Sequence, residues 1–457
     1  MSSKPAVRPR PPSVESVLKQ LRARSDGADP AALSAVAREI VNEERVRLAD
    51  GADPRDSNVL AEAARGRLEA FTDAGLVPVI NATGVIVHTN LGRAAWPASV
   101  AAGVTRLTQD AVLLELDRGT GRRGTRARVA EDHLVALTGA EDAYITNNNA
   151  AALALGVGLV GRGGIAVSRG ELVEIGGGVR IPDIVRRAGA RLIEVGTTNR
   201  TRPADFEGPL ADGTARAVLR VHPSNFAMHG FTEVPDHRAV VELAHRHGAI
   251  VIDDLGSGAL LDTARYGLAH EPMPRERLEA GSDLVMFSGD KLVGGPQAGL
   301  VVGRGDLVAR MRKDPLARAM RPDKATSAGV AMTLGLYRAG RATTDIPVWR
   351  MIATPLDDLR GRAENLIGRL GTRTDGVDVI DVRSTVGGGS LPGETLPSIA
   401  LALALPARSA TRMLSALRRG TPAVIGRIEN ERVILDLRTV LPASDEDLAT
   451  AVRAVLS

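Results

Sequence analysis

One lysine stands among glycines in the middle of the chain. Lys291 lies in SGDKLVGGPQAG (288–299), and only five of the 58 Lys and Arg residues are lysines. An amine forms a Schiff base with an aldehyde cofactor, which a guanidinium group cannot do. Ser288 is placed three residues earlier to bind a cofactor phosphate. β-Lactamases also use Ser-x-x-Lys, but there the motif opens a helix, and the glycines and proline at 294–296 oppose one here.

Two acids precede this loop. Asp253 and Asp254 end the apolar run AIVIDD (249–254), some 37 residues before Lys291. Pyridoxal phosphate needs a carboxylate against its pyridine nitrogen, so that the protonated ring withdraws electrons. Asp253 is favoured for this place because it is the first acid at the strand end. Either acid alone is equally typical of an Asx turn or a helix cap.

Two further polar segments follow apolar runs. TNNNAAAL (146–153) opens a helix, and the N–H groups of a helix N-terminus bind phosphate, so Asn147, Asn148 and Asn149 are candidate phosphate-binding residues. An ordinary N-cap would also explain them. In HPSNFAMHG (222–230), Asn225 is expected to contact the ring oxygen of the cofactor. His222 is expected beside the substrate or the cofactor, with a structural histidine as the alternative.

The elements that position these residues alternate between strands and helices. Apolar runs at 143–146, 164–168, 190–196, 217–222, 249–254, 283–288 and 298–303 are separated by helical stretches. Such a pattern predicts a mostly parallel α/β sheet covered on both faces, with function at the carboxyl ends of the strands. The motifs occur in the order phosphate loop, Asn loop, Asp, Lys. This is the order of pyridoxal phosphate enzymes of the aspartate aminotransferase fold type, fold type I.

Three domains are expected. Residues 1–75 have apolar positions at helical spacing and predict a small helical domain. Residues 76–325 form the α/β core. Residues 326–457 predict a smaller α/β domain, with strands at 377–385, 398–405, 423–428 and 432–439 and helices at 354–370, 408–419 and 444–456.

Composition excludes several classes. The 457 residues include no cysteine, which rules out a disulfide scaffold, a Cys-based zinc site and a thiol nucleophile. No apolar run approaches the roughly 20 residues that span a bilayer, and the Pro/Arg-rich start lacks the apolar core of a signal peptide. A cytoplasmic protein without membrane contact or bound metal is expected. The net charge of +4 is nearly balanced, with a basic segment at 1–24 followed by an acidic one at 25–78.

Longer stretches of the chain resemble a known family. INATGVIVHTNLGRA (80–94), GTGRRGTR (119–126), DDLGSG (253–258) and the lysine loop resemble bacterial selenocysteine synthases, the L-seryl-tRNA(Sec) selenium transferases. The resemblance runs from about residue 13 to the C-terminus and includes IPVWRMI (346–352) and VGGGSLPGETLPS (386–398).

The resemblance implies a reaction and its partners. Seryl-tRNA(Sec) would form an aldimine in place of Lys291, lose its β-hydroxyl to give an aminoacrylate, and take up selenium from selenophosphate. Lys291 would carry protons with help from Asp290. Family positions for selenophosphate fall on Arg93, Arg318 and Arg321. The resemblance further implies that the N-terminal domain holds tRNA and that the protein forms a homo-oligomer, a ring of dimers with sites at subunit interfaces.

Two alternatives stay open at this point. One is a pyridoxal phosphate lyase or transferase that acts on a free amino acid or amino sugar without tRNA, in which Arg427 would bind the substrate carboxylate. The other is a catalytically silent tRNA-binding protein on the same fold. The presence of Lys291, Ser288 and both aspartates argues against the second alternative.

Overall fold

In the computed structural model, which describes residues 9–72, 74–371, 375–405 and 408–456, the chain divides into two compact units. They are Met1–Pro78 and Val79–Ser457. The boundary expected at 325/326 falls at the start of a helix, Lys324–Arg338. The division of the larger unit into a core and a C-terminal domain stays a prediction.

The first unit is a bundle of three helices, α1 (Val14–Arg22), α2 (Pro30–Ala49) and α3 (Ser57–Glu69). Each begins at a side-chain cap, in which Ser13, Asp29 or Asp56 accepts a hydrogen bond from a backbone N–H of the first turn. Their apolar stripes meet in one small core. Inside this unit the Glu44 carboxylate is fully buried and pairs with Arg47 and Arg55.

The second unit contains sixteen strands among the described residues. They are β1 Val79–Asn81, β2 Val85–Val87, β3 Asp142–Thr146, β4 Gly164–Ser168, β5 Glu174–Ile175, β6 Val179–Arg180, β7 Arg191–Val195, β8 Ala215–Val221, β9 Ile250–Gly256, β10 Leu284–Ser288, β11 Gly299–Gly303, β12 Val377–Gly387, β13 Thr395–Leu403, β14 Ala423–Ile425, β15 Arg427–Glu429 and β16 Arg432–Asp436.

Its α-helices continue the numbering of the first unit. They are α4 Ala98–Gln109, α5 Arg128–Thr138, α6 Asn149–Gly158, α7 Ile181–Arg187, α8 Ala204–Ala211, α9 His237–Arg246, α10 Pro274–Glu279, α11 Gly305–Lys313, α12 Lys324–Arg338, α13 Ala342–Asp345, α14 Pro347–Ala353, α15 Leu356–Leu370, α16 Ala410–Arg419 and α17 Asp445–Leu456.

Seven strands form the large central sheet, in the order β3-β11-β10-β9-β8-β4-β7. Strands β10, β9, β8, β4 and β7 run parallel, whereas β11 is antiparallel to both of its neighbours. The predicted mostly parallel sheet is confirmed, and all seven predicted strands lie within two residues of their observed bounds. Helices pack on both faces, with apolar clusters on each side.

A second sheet is built mainly from the C-terminal segment, in the order β15-β16-β13-β12-β2. Its pairs are antiparallel except for β12 with β2, so a short strand near residue 85 joins a sheet formed from residues beyond 376. The predicted strand at 423–428 is observed as two short strands, β14 and β15. This pairing brings the segment after β2 and the segment after β12 close together.

Across the described parts of both units, no helix has the length and apolar character needed to cross a membrane.

Candidate active site

The lysine loop leaves the end of β10 and closes on itself. Gly289 N donates to Ala298 O at 2.9 Å, and Gly295 N donates to Gly289 O at 2.9 Å. Lys291 therefore sits on a fixed turn at the carboxyl edge of the sheet, as predicted. Its side chain lines a cavity of about 300 Å³, together with Arg93, Asn148, Asn149, His222, Ser224, Asp254, Gly256, Ser288, Asp290 and Gln297.

The cavity changes the proton affinity of the lysine. Burial lowers the pKa of Lys291, and the nearby carboxylates of Asp254, Asp290 and Glu271 oppose this effect, while Arg93 adds to it. A lowered pKa increases the fraction of free amine, which is the form that attacks a carbonyl carbon. The site thus suits covalent chemistry at this nitrogen.

Of the two aspartates at the end of β9, Asp254 shares the cavity with Lys291. Asn149 Nδ2 donates to Asp254 Oδ1 at 2.8 Å, so the first residue of α6 and the end of β9 are joined by one hydrogen bond. Burial raises the pKa of Asp254, and the Asn149 hydrogen bond and the Lys291 charge oppose that shift. The other amide atom of this asparagine, Asn149 Oδ1, is buried and has no hydrogen-bond partner.

Asp253 lies on the opposite face of the sheet, because successive side chains of a strand alternate between faces. Its Oδ2 is 3.5 Å from His237 Nε2 and 3.5 Å from Arg277 Nε, and the residue does not line the lysine cavity. Burial raises the pKa of Asp253 to about 6. The sequence-based preference for Asp253 over Asp254 does not fit this position, and Asp254 is the strand-end acid that lines the lysine cavity.

The three asparagines at the start of α6 also differ in whether they line the cavity. Asn148 caps the helix by accepting from Ala151 N at 2.9 Å and, like Asn149, lines the cavity. Asn147 is exposed and does not line it, and its backbone N–H donates to Met320 O at 2.8 Å. Two of the three residues are thus placed to meet a phosphate.

Of the two residues predicted after β8, one reaches the cavity. His222 lines it, and its backbone N–H donates to Asp254 O at 2.9 Å. Asn225 is exposed, and its Nδ2 donates to Glu174 O at 2.7 Å, which turns its side chain toward β5. The expected contact of Asn225 with a ring oxygen does not fit this position. Ser288 is buried in the cavity wall, as expected.

Arg93 enters the cavity from the loop after β2. Its Nη1 is 2.7 Å from Asp290 Oδ2, and Ala94 N donates to Asp290 O at 3.2 Å. Arg93 has a φ of 63°, a left-handed conformation uncommon for residues other than glycine. The ion pair holds the Arg93 guanidinium beside Asp290, the residue that precedes Lys291 in the chain.

Arg318 and Arg321 lie elsewhere in the chain. They line a separate cavity of about 480 Å³, which also contains Arg123, Arg126 and Arg312. Arg321 Nη1 is 3.2 Å from Glu115 Oε1, whereas no described carboxylate pairs with Arg318. Within one chain, the structure does not bring these two arginines to Lys291.

Four neighbours of the lysine were missed in the sequence. Ser224 and Gln297 line the cavity, and Glu271 acts on Lys291 through its charge. Gly389, in the loop after β12, is so close that a Cβ there would lie 2.5 Å from Lys291 Nζ. The glycine run at 387–389 was visible in the sequence, but only the structure shows that Gly389 lies against the lysine.

The residues fit pyridoxal phosphate. The cavity offers an amine, a buried carboxylate for a pyridine nitrogen, and the N–H groups of a ten-residue helix for a phosphate. Unpartnered buried polar atoms, Asn149 Oδ1 and Asp290 Oδ1, face the same region. A cavity of about 300 Å³ lies within the usual range for small ligands.

A known protein family matches most of the chain, including the residues of the lysine cavity. Residues 79–441 match the family described as SelA: L-seryl-tRNA selenium transferase. The chain belongs to this family. The match covers the lysine loop, both aspartates and all three candidate arginines.

Curated members of the selenium transferase family resemble the chain over most of its length. The L-seryl-tRNA(Sec) selenium transferase of Alkaliphilus metalliredigens is 45% identical over 376 residues, covering 81% of this chain and 80% of that one. The enzyme of the same name from Moorella thermoacetica is 43% identical over 428 residues, covering 91% and 90%. The chain is thus a pyridoxal phosphate-dependent transferase.

A solved structure supports the fold of this family member. D-Glucosaminate-6-phosphate ammonia-lyase superimposes with a TM-score of 0.59 and 21% identity, covering 84% of this chain and 97% of that one. At this identity the likeness concerns the fold alone. It agrees with the predicted fold type I.

Proposed function

We propose that this chain converts L-seryl-tRNA(Sec) to L-selenocysteinyl-tRNA(Sec) at the Lys291 cavity, with selenophosphate as the selenium donor. The observation that carries the proposal is the meeting of Lys291, Asp254 and Asn149 in one cavity of a chain from the L-seryl-tRNA selenium transferase family. The overall change replaces the serine β-hydroxyl with selenium, while the amino acid stays esterified to tRNA.

Each wall of the cavity has a role in holding the cofactor. Lys291 would attach pyridoxal phosphate covalently, Asp254 would serve its pyridine nitrogen, and Asn148, Asn149 and Ser288 would bind its phosphate. Bound in this way, pyridoxal phosphate draws electrons from the α-carbon of the attached amino acid. Asn149 keeps the Asp254 carboxylate in place through its 2.8 Å hydrogen bond.

Lys291 is also the proposed proton carrier. As a free amine in the cavity, Lys291 would exchange a proton with the α-carbon of the substrate, and its lowered pKa favours this role. Asp290 is held by Arg93 at 2.7 Å, which fixes the carboxylate next to the lysine in the chain. We infer that Asp290 assists by keeping Arg93 in place as well as by its charge.

Selenophosphate is proposed to meet arginines from two copies of the chain. Arg93 supplies a guanidinium inside the lysine cavity, and bidentate guanidinium groups suit a small, highly charged anion. Arg318 and Arg321 line a different cavity of their own chain, so they are proposed to complete the anion site of a second copy. A homo-oligomer, a ring of dimers by family resemblance, would place the site at an interface.

The tRNA is proposed to bind the N-terminal helical unit and the arginine-rich segment 118–128. In that segment Arg123 and Arg126 pair with Glu115 at 2.7 and 2.8 Å, while Arg118 and Arg122 are exposed. Exposed guanidinium groups favour contact with backbone phosphates. A cytoplasmic location is proposed with this partner.

The structure does not place Arg427, the candidate for binding the carboxylate of a free amino acid, in the lysine cavity. Arg427 Nη1 donates to Thr83 O at 2.7 Å and to Asp436 Oδ2 at 3.1 Å, on the C-terminal sheet. It does not line the lysine cavity. A seryl ester has no free carboxylate and needs no such arginine, which favours the tRNA-linked substrate.

The test uses the full-length protein loaded with pyridoxal phosphate. Incubation with seryl-tRNA(Sec) and selenophosphate should give selenocysteinyl-tRNA(Sec), whereas seryl-tRNA(Ser), cysteinyl-tRNA and free serine should not react. Lys291→Arg, which keeps the charge and cannot form the Schiff base, should abolish product and cofactor colour. Conversion of free serine as fast as seryl-tRNA(Sec), or an active Lys291→Arg variant, would refute the proposal.

A further inference from the structure

Behind His222, at the edge of the lysine cavity, lies a buried carboxylate for which the reaction outlined above has no role. Glu271 is 2% exposed, and its Oε1 has no hydrogen-bond partner. His222 is the basic side chain among the described residues that pairs with it, with Nε2 3.3 Å from Oε1. A buried carboxylate is costly unless a partner compensates it, so this pair needs an explanation.

The backbone around Glu271 is held firmly. The backbone N–H of Glu271 donates to Thr263 Oγ1 at 2.9 Å, and the same hydroxyl donates to Ala269 O at 2.6 Å. Ala269 N donates in turn to Glu394 Oε2 at 2.8 Å, which joins this segment to the loop that carries Gly389. Glu271 is therefore presented to His222 from a rigid turn.

His222 is hydrogen-bonded through its backbone, whereas its side chain has room to rotate. Its backbone N–H is bound to Asp254 O at 2.9 Å, but the imidazole can turn about its side-chain torsions. We propose that Glu271 is a positioning residue that holds the imidazole of His222 in one orientation at the wall of the cofactor cavity. The proton on Nε2 then points to Glu271, which sets the tautomer of the ring.

The 3.3 Å separation is longer than an aligned charge-assisted hydrogen bond. Such contacts in catalytic sites are often loose without ligands and tighten when the site is filled. Because the backbone of Glu271 is held, the gap closes through side-chain rotation, and we infer that the His222 ring turns toward the carboxylate. The orientation of that ring toward the cofactor follows from where Glu271 stands.

The experiment rests on the proposed cofactor cavity and uses the full-length protein with bound pyridoxal phosphate. Glu271→Ala should keep its cofactor content, change the visible circular dichroism of the cofactor, and lower kcat at least about tenfold, since small misplacements at a site are costly. KM for seryl-tRNA(Sec) should stay within about twofold. Glu271→Gln, whose amide oxygen also accepts from Nε2–H, should restore most of kcat and the spectrum.

Two comparisons separate positioning from general support. Glu276→Ala is the matched control, because Glu276 pairs with His270 Nε2 at 3.0 Å on the same segment but outside the cavity; its spectrum and kcat should match wild type. In a His222→Ala background, Glu271→Ala should cause no further loss. If Glu271→Ala does not fold, Glu271→Asp, which withdraws the carboxylate by one methylene, replaces it in this cycle.

The role of Glu271 is overturned if its substitution leaves the spectrum and kcat unchanged, or if its effect persists in full without His222. It is equally overturned if Glu271→Gln is as impaired as Glu271→Ala. A wild-type protein without bound cofactor would instead refute the cavity itself, so the two failures are distinguishable.

Discussion

Asp253 and Asp254 are neighbours in the chain and serve opposite faces of the same sheet. On one face Asp254 meets Asn149 and Lys291 around an open cavity. On the other, Asp253 is enclosed with Arg277 and His237 and touches no cavity that contains the lysine. Identical side chains one residue apart thus have different surroundings, because successive side chains of a strand point to opposite faces of the sheet.

The largest effect should come from exchanging these acids for their amides one at a time. Asp254→Asn removes the charge that we propose for the pyridine nitrogen, and kcat should fall by at least about a hundredfold, as for loss of a major electrostatic contact. Asp253→Asn should leave kcat within about threefold and raise the free energy of unfolding at neutral pH, because burial disfavours the ionised form of Asp253 in the folded protein. Steady-state kinetics and urea unfolding measure both. Equal kinetic effects of the two substitutions would erase the distinction between the faces.

A smaller effect is expected from the glycine loop that covers the cavity face. Gly389→Ala would place a methyl group 2.5 Å from Lys291 Nζ, so we expect at least about tenfold weaker cofactor binding, measured by titration of the apoprotein. Gly393→Ala is the matched control: Gly389 and Gly393 have φ of 81° and 82°, but no atom lies within 4 Å of a Cβ at 393. Because both glycines have nearly the same positive φ, alanine strains the backbone at either position. An equal loss of cofactor affinity in the two variants would contradict the contact of residue 389 with the lysine.

The smallest effect concerns pH and contrasts Asp253 with another fully buried acid, Glu44. Burial raises the pKa of Asp253 from 3.8 to about 6, so the folded state binds more protons and stability falls as pH rises through that window. The Arg47 hydrogen bond, with further help from Arg55, lowers the pKa of Glu44 from 4.5 to about 2. Its contribution is complete above 4.5 and is lost as pH falls toward 2.

Urea unfolding across pH tests this contrast. Asp253→Asn should remove the loss of stability between pH of about 4 and 6, and Glu44→Gln should remove the loss on acidification below about 4.5. The physical difference is pairing geometry, because Glu44 has nitrogens of both arginines at 2.7 Å while the nearest partners of Asp253 are at 3.5 Å. Parallel pH slopes for both variants and wild type would contradict it.

The sequence predicted the strands and the motifs at their ends, since apolar runs and polar ends are local properties. It could not decide between Asp253 and Asp254, because one residue of register exchanges the faces. Asn147 and Asn225 have suitable side chains, but Asn147 is exposed outside the cavity, and the side chain of Asn225 donates to Glu174 O. The sequence alone gave no sign of Glu271. It shows the glycine run that includes Gly389, but only long-range packing brings both residues to the lysine.

The hydrogen bond from Asn149 to Asp254 also limits how the chain tolerates insertions. It ties the start of α6 to the end of β9, so one asparagine sets the spacing between these two elements at the lysine cavity. One added residue between 146 and 149 would turn the helix start by about 100° and move both ends out of register together. Length variation is therefore excluded at this turn, whereas exposed turns such as Gly161, with no neighbouring atoms within 4 Å of a Cβ, have room for it.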